Sequence, residues 1–463
     1  MDKLDAFIGI LITSNFNERK CQRDYWSSNS LLHHKRLALV MSRDLFIFIK
    51  KNIKFSKEGD KNIADKIWRV KTMCEIFKSN ILLFGYFSAN LSIDESMVKF
   101  FGRCQIKQFV KNKPIRFGIK LWSLCTDTGF LLDFNIYCGK DSNNSTEKLR
   151  NCTLGTRVVM NLLHPFLFQT ALNLREKYHV IFDNFFTSPY LLVFLKTLGL
   201  RATGTVRANR VYEQKLVDNK LKRIPVSISL NNKSKRGDYE VKRDINSTLS
   251  YVSVKDSKVV SILSTAAGIE PFANVERYCK EEKKKTSIPF PQCFAVYNKY
   301  MGGVDLHDHY RHDLKINISS RRWTWQIFKF IIETALSNSV ILWNSCNEKE
   351  KKIKAKEFAL IIADIYLRRE EKNVYPKHNA TEVTVRRKCT SCNKKTVNYC
   401  FDCKDHFCSD CYDKTHFIVH RVEQIEKKGS CLYDDCGVRT LLFCQKCKSH
   451  VCQKCRKKHK QLL

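Results

Sequence analysis

The chain has 463 residues, of which 43% are hydrophobic, and its 82 Lys and Arg outnumber its 46 Asp and Glu, for a net charge of +36. This hydrophobic content excludes a wholly disordered protein, and the length is enough for about three domains. The positive charge favours a polyanionic partner, most often nucleic acid. The longest apolar stretches, such as residues 6–13, are far shorter than the roughly 18 residues of a membrane-spanning helix, so no membrane association is expected.

The cysteines are concentrated at one end of the chain, with 12 of the 21 between Cys389 and Cys455. The apolar segment near the N-terminus has no cationic region before it and no small-residue cleavage site, so it is not predicted to be a signal peptide. In an intracellular reducing compartment, paired cysteines indicate metal sites rather than disulfides.

Hydrophobic periodicity divides the rest of the chain. Residues 1–90 show mainly helical spacing, and three β-rich runs follow, the last two meeting at the turn-forming Asp127-Thr128-Gly129. A helix, the strand HVIFDNF and a second helix come next, an order that predicts a mixed α/β layer. The basic segment 207–291 is β-rich, and two helical stretches between residues 321 and 367 precede a polar linker.

The cysteine-rich tail contains an internal repeat with the spacing of zinc ligands. The first unit consists of Cys389, Cys392, Cys400, Cys403, Cys408, Cys411, His416 and His420. The second consists of Cys431, Cys436, Cys444, Cys447, Cys452, Cys455 and His459. Two CxxC pairs can surround one tetrahedral Zn²⁺, so the first unit suits two ions.

For the first unit we favour interleaved pairing of its ligands. The first and third Cys pairs would hold one ion, and the second Cys pair and the two His the other. This spacing resembles the B-box zinc module and, more weakly, the RING cross-brace; free thiols or disulfides are the alternatives. Whether the second unit holds one ion or two is left open, because it has only seven ligands. Closed sites of this type stabilise folding rather than catalyse.

Several aspartates stand in strand-like contexts. Asp94 lies in SIDES, Asp183 ends the apolar run VIF, and Asp305 and Asp308 lie three residues apart in GGVDLHD. Carboxylates from separate elements can hold two Mg²⁺ ions, which polarise a phosphodiester and lower the pKa of an attacking water. Taken alone, each of these acids is more simply a strand end or a helix cap. Other acids near the hairpin, Asp127 and Asp133, are assigned ordinary turn and surface roles.

Six segments together carry a specific resemblance to the piggyBac transposase family and its transposable element-derived proteins. They are LSIDESMVKFFGRC, KNKPIRFGIKLWSLCTDTGF, VIFDNFFTS, GTVRANR, VYNKYMGGVDLHD and RRWTWQIFKFIIETALSNSVILW. They cover most of the chain as far as about residue 367. The resemblance implies an α/β fold: a ribonuclease-H-like catalytic domain with a β-rich insertion, flanked by a split helical domain, plus a small C-terminal Cys/His zinc-binding tail.

The resemblance also implies a domain order. Residues 1–90 and 316–370 form the helical DNA-binding and dimerisation parts. Residues 91–206 and 292–315 form the catalytic domain, and residues 207–291 the insertion. A linker at 371–388 precedes the zinc-binding repeats at 389–463.

The family's motifs imply roles for individual residues. The catalytic triad that binds Mg²⁺ or Mn²⁺ falls on Asp94, Asp183 and Asp305, and a supporting acid falls on Asp308, for which helix capping is the alternative. Trp323 matches a tryptophan that handles the DNA hairpin end. The arginines are candidate phosphate contacts, each of them equally consistent with a solvated surface position. They are Arg201, Arg207, Arg210, Arg321 and Arg322.

The function implied is a DDD-type DNA transposase that nicks a strand, forms a hairpin and joins the opened end to TTAA sites. Double-stranded DNA, including transposon ends, is the implied partner, a homodimer the implied assembly and the nucleus the expected location. The family's acidic N-terminal region is expected to be missing, because the chain begins inside the helical part. The alternatives are therefore a domesticated, catalytically inactive DNA-binding protein of transposon origin and a zinc-module interaction protein.

Overall fold

A computed structural model of the chain falls into two compact units, Met1–Leu367 and Arg368–Leu463. It describes residues 2–84, 88–111, 113–139, 151–217, 220–244, 246, 248–279, 283–347, 352–371, 380–389, 392, 394–400, 405–406, 422–430, 439–444 and 449–450. Among the helices of these residues, none has the length and apolar character needed to cross a membrane.

Helices from both ends of the first unit form one hydrophobic core. The N-terminal helices of this core are α1 (Asp2–Thr13), α2 (Lys35–Val40) and α3 (Arg43–Asn52). The next helix, α4 (Trp68–Leu82), packs instead against the central sheet. The late helices are α10 (Trp323–Cys346) and α11 (Ala355–Glu371). In this core the ring of Phe7 lies 5.0 Å from that of Phe46 and 6.2 Å from that of Trp325. Segments more than 300 residues apart in sequence therefore fold together.

A mixed nine-stranded sheet forms the centre of the first unit. Its first six strands are β1 (Asn90–Lys99), β2 (Lys107–Phe109), β3 (Phe117–Thr126), β4 (Leu131–Ile136), β5 (His179–Phe182) and β6 (Arg201–Val206). One edge of β3 pairs with β1, and its other edge pairs with β2 and β4, all antiparallel. β5 is parallel to both β1 and β6. The α/β fold expected from the sequence is confirmed.

Part of the basic segment continues this sheet. Strands β9 (Tyr239–Asp244), β10 (Leu249–Lys255) and β11 (Val259–Ser264) extend it in the order β6-β11-β10-β9. Two further antiparallel hairpins come from the same segment. They are formed by β7 (Tyr212–Val217) with β8 (Lys220–Pro225) and by β12 (Ala273–Cys279) with β13 (Lys284–Phe290).

Helices cover both faces of the sheet, because alternate residues of its strands are apolar on each side. Five helices are involved: α5 (Leu154–Gln169), α6 (Leu172–Arg175), α7 (Pro189–Thr197), α8 (Gln292–Tyr300) and α9 (Gly303–Asp313). On one face, α5 and α7 pack on Leu91 and Ile93 of β1. On the other, Val304 of α9 and Phe330 of α10 belong to the cluster that includes Leu121 of β3.

The second unit repeats one backbone pattern. Strands β14 (Ala380–Lys388), β15 (Lys395–Cys400) and β16 (Asp405–His406) form one antiparallel sheet. Strands β17 (Val422–Ser430), β18 (Arg439–Cys444) and β19 (Ser449–His450) form another in the same order. Tyr399 pairs with His406 and Phe443 with His450, so the backbone follows the sequence repeat.

Most of the predicted zinc ligands lie outside the described residues. Cys389 is buried, Cys392 is exposed, and the Cys389 N–H donates to the Lys394 carbonyl at 2.7 Å. Cys400 and Cys444 end β15 and β18. Zinc binding therefore stays a prediction.

Candidate catalytic site

Two of the predicted catalytic aspartates lie side by side on neighbouring strands, Asp94 in the middle of β1 and Asp183 directly after the end of β5. β1 and β5 are parallel, and their register pairs Ile93 with Phe182. The next residues along the two strands are Asp94 and Asp183. The sheet therefore brings together two acids that are 89 positions apart in the chain.

Asp305 reaches the same region from the first turn of α9. This helix lies tightly on the sheet: a Cβ atom at Gly303 would be 2.3 Å from the Thr126 carbonyl oxygen and 2.4 Å from Ser92 Oγ. The buried His307 holds the helix from two sides, with Nδ1 3.0 Å from the Gly129 oxygen and Nε2 3.3 Å from Thr334 Oγ1. The sheet and α10 thus fix the position of α9.

The three carboxylates share one electrostatic environment. Burial raises the pKa of Asp94 to about 6, and the negative charges of Asp183 and Asp305 contribute to this rise while Lys113 opposes it. Burial also raises the pKa of Asp183, with the charge of Glu95 adding to the effect. Like charges gathered at partly buried positions are the environment that a bound cation would relieve.

Backbone hydrogen bonds orient the first two acids. The Glu95 N–H donates to Asp94 Oδ1 at 2.7 Å, and the Phe185 N–H donates to Asp183 Oδ1 at 2.8 Å. The second bond makes Asp183 the first residue of a tight turn after β5. Helix capping, one of the alternatives for Asp183, is wrong, because Ser188 caps α7 through its hydrogen bond from the Leu191 N–H.

The capping alternative for Asp308 is also wrong, because α9 begins at Gly303 and Asp308 lies more than a turn inside it. Its Oδ1 is 2.7 Å from Nη1 of Arg311, whose Nη2 is 3.5 Å from Glu333 Oε2. The guanidinium also lies 4.5 Å from the centre of the Phe330 ring. Burial raises the pKa of Asp308, and Arg311 opposes the rise. Asp308 is therefore held at the partly exposed edge of a charge network whose other members, Arg311 and Glu333, are buried.

Another acid was placed wrongly from the sequence. Asp133 was expected at the surface, but it is 5% exposed on β4 and its Oδ1 lies 2.8 Å from the Lys78 ammonium. The ion pair with α4 allows this carboxylate to be buried. Asp127 stays in the hairpin turn as expected, where it accepts a hydrogen bond from Ser88 Oγ at 2.6 Å.

Sequence reasoning missed several residues near the acids. A cavity of about 480 Å³ is lined by Glu95, Lys113, Asp305, Asp308 and Lys329, among others. Lys113 Nζ is 3.7 Å from Glu95 Oε1, and the charge of Lys113 acts on Asp94, Asp183 and Asp308. The basic run KNKPIR was the available signal in the sequence. Only the β2–β3 hairpin shows that its Lys113 lies at the cavity.

Tyr297 of α8 was also missed. Its hydroxyl lies 3.4 Å from Thr205 Oγ1 of β6. Burial raises its pKa to about 12, and the charges of Asp183 and Asp94 add to the effect. The hydroxyl therefore stays protonated near the acids.

The predicted DNA contacts fall into two groups. Arg207 and Arg321 are exposed. Backbone oxygens accept hydrogen bonds from the guanidinium groups of the others: Arg201, which is also exposed, donates to Lys177, Arg210 to Asn184 and Phe185, and Arg322 to Lys50, Lys51 and Ile53. Trp323 is the first residue of α10 and packs against the core below β3.

The carboxylate oxygens of this site are suitable ligands for a hard divalent cation such as Mg²⁺, with a bound phosphate supplying the remaining ligands. Within the described ranges, no group of three or more His, Cys, Asp or Glu side chains is arranged to hold a metal ion. Mg²⁺ commonly uses only one or two carboxylates, and water and substrate phosphates complete its shell. The residues present therefore fit a metal site that is complete only with a phosphate ligand.

The fold and the acidic site define an α/β protein with clustered carboxylates, and comparison with known families identifies which family it belongs to. Residues 1–340 match the family model described as Transposase IS4, and the chain belongs to this transposase family in its piggyBac branch. The resemblance seen in the sequence is thereby confirmed.

The similar proteins include two human ones and one solved structure. PiggyBac transposable element-derived protein 3 of Homo sapiens is 29% identical over 419 residues, covering 86% of this chain and 67% of that protein. PiggyBac transposable element-derived protein 2 of Homo sapiens is 28% identical over 365 residues, covering 79% and 59%. A cryo-EM structure of the piggyBac transposase synaptic complex with hairpin DNA shares the fold, with a TM-score of 0.64 and 22% identity over 98% of this chain and 88% of that one.

The close approach of α9 to the sheet leads to a prediction about Gly303. In the Gly303→Ala protein, we expect the first turn of α9 to move away from Thr126 and Ser92 and to displace Asp305. The free energy of unfolding should fall by about 1–3 kcal/mol, as in other overpacked sites. Chemical denaturation measures this change.

The neighbouring Gly302→Ala protein is the matched control, because no atom lies within 4 Å of a Cβ at that position. Its cost should stay below about 1 kcal/mol, the size of an unfavourable helix N-cap. Equal destabilisation of the two variants would contradict the tight contact.

Proposed function

We propose that this chain is a Mg²⁺- or Mn²⁺-dependent DNA transposase that nicks DNA, forms a hairpin and joins the end at TTAA sites. The observation that carries the proposal is the convergence of Asp94, Asp183 and Asp305 from β1, β5 and α9. Membership of the transposase family supports the reaction class.

The strand order supports a ribonuclease-H-like catalytic domain. Three antiparallel strands, β4, β3 and β1, are followed across the sheet by β5 and β6, both parallel to β1. This is the arrangement implied by the family resemblance. Asp94 lies within β1 and Asp183 directly follows β5, and such positions on neighbouring strands suit groups that must be held in fixed positions.

Asp94, Asp183 and Asp305 would hold the metal, with Asp308 in support. When bound, the ions polarise the scissile phosphodiester, lower the pKa of the attacking water and stabilise the leaving oxygen. The chain's own contribution is positional. Backbone N–H groups orient Asp94 and Asp183, α9 carries Asp305, and the Lys113 ammonium offers positive charge to a phosphate in the cavity.

Double-stranded DNA with transposon ends is the proposed substrate. The net charge of +36 favours such a polyanion, and the similar cryo-EM structure is titled as a synaptic complex with hairpin DNA. Arg207 and Arg321 are exposed and are the proposed phosphate contacts among the predicted arginines. A homodimer and a nuclear location are part of the same proposal.

The test is a cleavage assay with the full chain and labelled duplex DNA taken from the sequence that flanks its gene. With Mg²⁺ we expect a nick followed by a hairpin, and with EDTA neither product. Joining is scored on a plasmid that contains TTAA. Salt-sensitive binding without any nick would overturn the proposal and favour the non-enzymatic DNA-binding alternative.

A further inference from the structure

Three phenylalanines form an exposed cluster beside the loop that joins β2 to β3. Phe101, Phe109 and Phe117, here called the phenylalanine cluster, are 67%, 58% and 42% exposed. Phe109 and Phe117 are direct partners across the strand pair, with ring centres 4.8 Å apart, and Phe101 lies 6.5 Å from Phe117. Single exposed hydrophobic residues are ordinary, but a contiguous exposed group of large rings marks an interaction site.

The surroundings of the cluster are positively charged. The sequence from residue 99 to residue 116 contains no Asp or Glu and six basic residues, which are Lys99, Arg103, Lys107, Lys111, Lys113 and Arg116. The Lys99 ammonium lies 5.3 Å from the centre of the Phe101 ring. Aromatic rings interleaved with cations are the combination that binds single-stranded nucleic acid, since the cations follow the backbone and the rings stack on the bases.

The cluster also borders the cavity that is lined by Asp305 and Asp308. Lys99 lines this cavity and lies over Phe101. The loop that joins Phe109 to Phe117 is closed by a hydrogen bond from the Val110 N–H to the Arg116 oxygen at 2.9 Å, and its Lys113 reaches the cavity wall. A DNA strand that leaves the cavity on the side of Lys99 would therefore meet the Phe101 ring.

We propose that the phenylalanine cluster binds unpaired bases of the DNA strand next to the cleaved phosphodiester. Unpaired bases are required because in a duplex the faces of the bases are stacked on each other. Every base has a face that can stack, so the surface would tolerate any sequence. This inference rests on the proposed function, which makes the cavity the cutting site.

The test measures stacking directly in the full chain. A duplex with a four-nucleotide single-stranded extension carries 2-aminopurine in that extension, and EDTA prevents cleavage. With the wild type we expect quenching of the 2-aminopurine fluorescence. In the Phe101→Ala/Phe109→Ala protein the quenching should be lost and the affinity for this DNA should fall about tenfold or more. Affinity for the blunt duplex should change less than twofold.

Three control variants separate stacking from other causes. Phe168→Ala removes a ring on α5 that is 79% exposed, and it should leave the quenching unchanged. Phe101→Leu/Phe109→Leu keeps the apolar character without the rings and should lose the quenching. Phe101→Trp/Phe109→Trp should keep it.

Two results would overturn the inference. One is unchanged quenching in the double alanine variant, and the other is an equal loss of affinity for the blunt duplex. If unchanged quenching comes with a new oligomeric state in gel filtration, the cluster is a protein contact instead. Because the assay contains no metal, a wild type that quenches but never nicks would leave the surface intact and overturn only the proposed function.

Discussion

At neutral pH and without metal, the Asp94→Asn protein is expected to be more stable than the wild type and to have lost DNA cleavage. Burial and the charges of Asp183 and Asp305 raise the pKa of Asp94 to about 6 from an ordinary value of 3.8. A shift of that size corresponds to as much as about 3 kcal/mol of unfavourable free energy when the group is ionised. Asparagine is never ionised, so the substitution removes this unfavourable free energy.

The sign of the pH dependence follows from the direction of the shift. The folded protein holds the Asp94 proton more tightly than the unfolded chain does. The stabilisation that protonated Asp94 gives to the folded state is therefore complete below pH 3.8 and is lost as the pH rises through about 6. The gain from Asp94→Asn in thermal unfolding should be largest near pH 8 and about half as large at pH 5. A gain that is equal at both values would contradict the raised pKa.

Activity and metal dependence supply the second half of this prediction. Loss of a ligand that helps stabilise the transition state should lower nicking at least about a hundredfold. Mg²⁺ with transposon-end DNA should raise the thermal stability of the wild type and have a smaller effect on the variant. Asp183→Asn should behave as Asp94→Asn does, whereas Asp127→Asn, in the hairpin turn, should cleave normally. Normal cleavage by Asp183→Asn would remove the triad assignment.

Local patterns in the sequence predicted the elements that carry the site. The β-rich runs of β1 and β3, the turn at Asp127–Gly129 and the apolar run of β5 are short-range signals, and the structure has them where expected. The placement of Asp94 beside Asp183 depends on the parallel pairing of β1 with β5, which no local pattern encodes. Only the family resemblance grouped these acids in advance.

What the sequence did not predict depends on long-range contacts. Strands β9–β11 join the central sheet because β11 pairs with β6, a partner that lies more than 50 residues earlier. Arg210 and Arg322 read equally well as DNA contacts, yet their guanidinium groups are bonded to carbonyl oxygens of distant loops. Asp133 was assigned to the surface because its partner Lys78 lies on α4, far along the chain.

Replacement of Arg311 by methionine is expected to be the most destabilising of the substitutions considered. The guanidinium is buried, lies over the Phe330 ring and contacts the Asp308 and Glu333 carboxylates. Methionine would fill part of the space but would leave the buried Glu333 without the Arg311 guanidinium. Breaking a buried ion pair by removing one partner costs about 3–5 kcal/mol. Denaturant unfolding of Arg311→Met should show a loss of this size.

The double variant Arg311→Met/Glu333→Gln tests the cause of that loss. Glutamine keeps a carbonyl oxygen for the Ile316 N–H, which donates to Glu333 Oε1 at 3.0 Å in the wild type, and it carries no charge. The double variant should therefore be more stable than Arg311→Met alone, and a double-mutant cycle should give a coupling of at least about 1 kcal/mol. Additive losses would show that Arg311 stabilises the fold through packing on Phe330 instead. Because Arg311 also holds Asp308 beside Asp305, restored stability without restored nicking would separate its role in the fold from its role in positioning the acid.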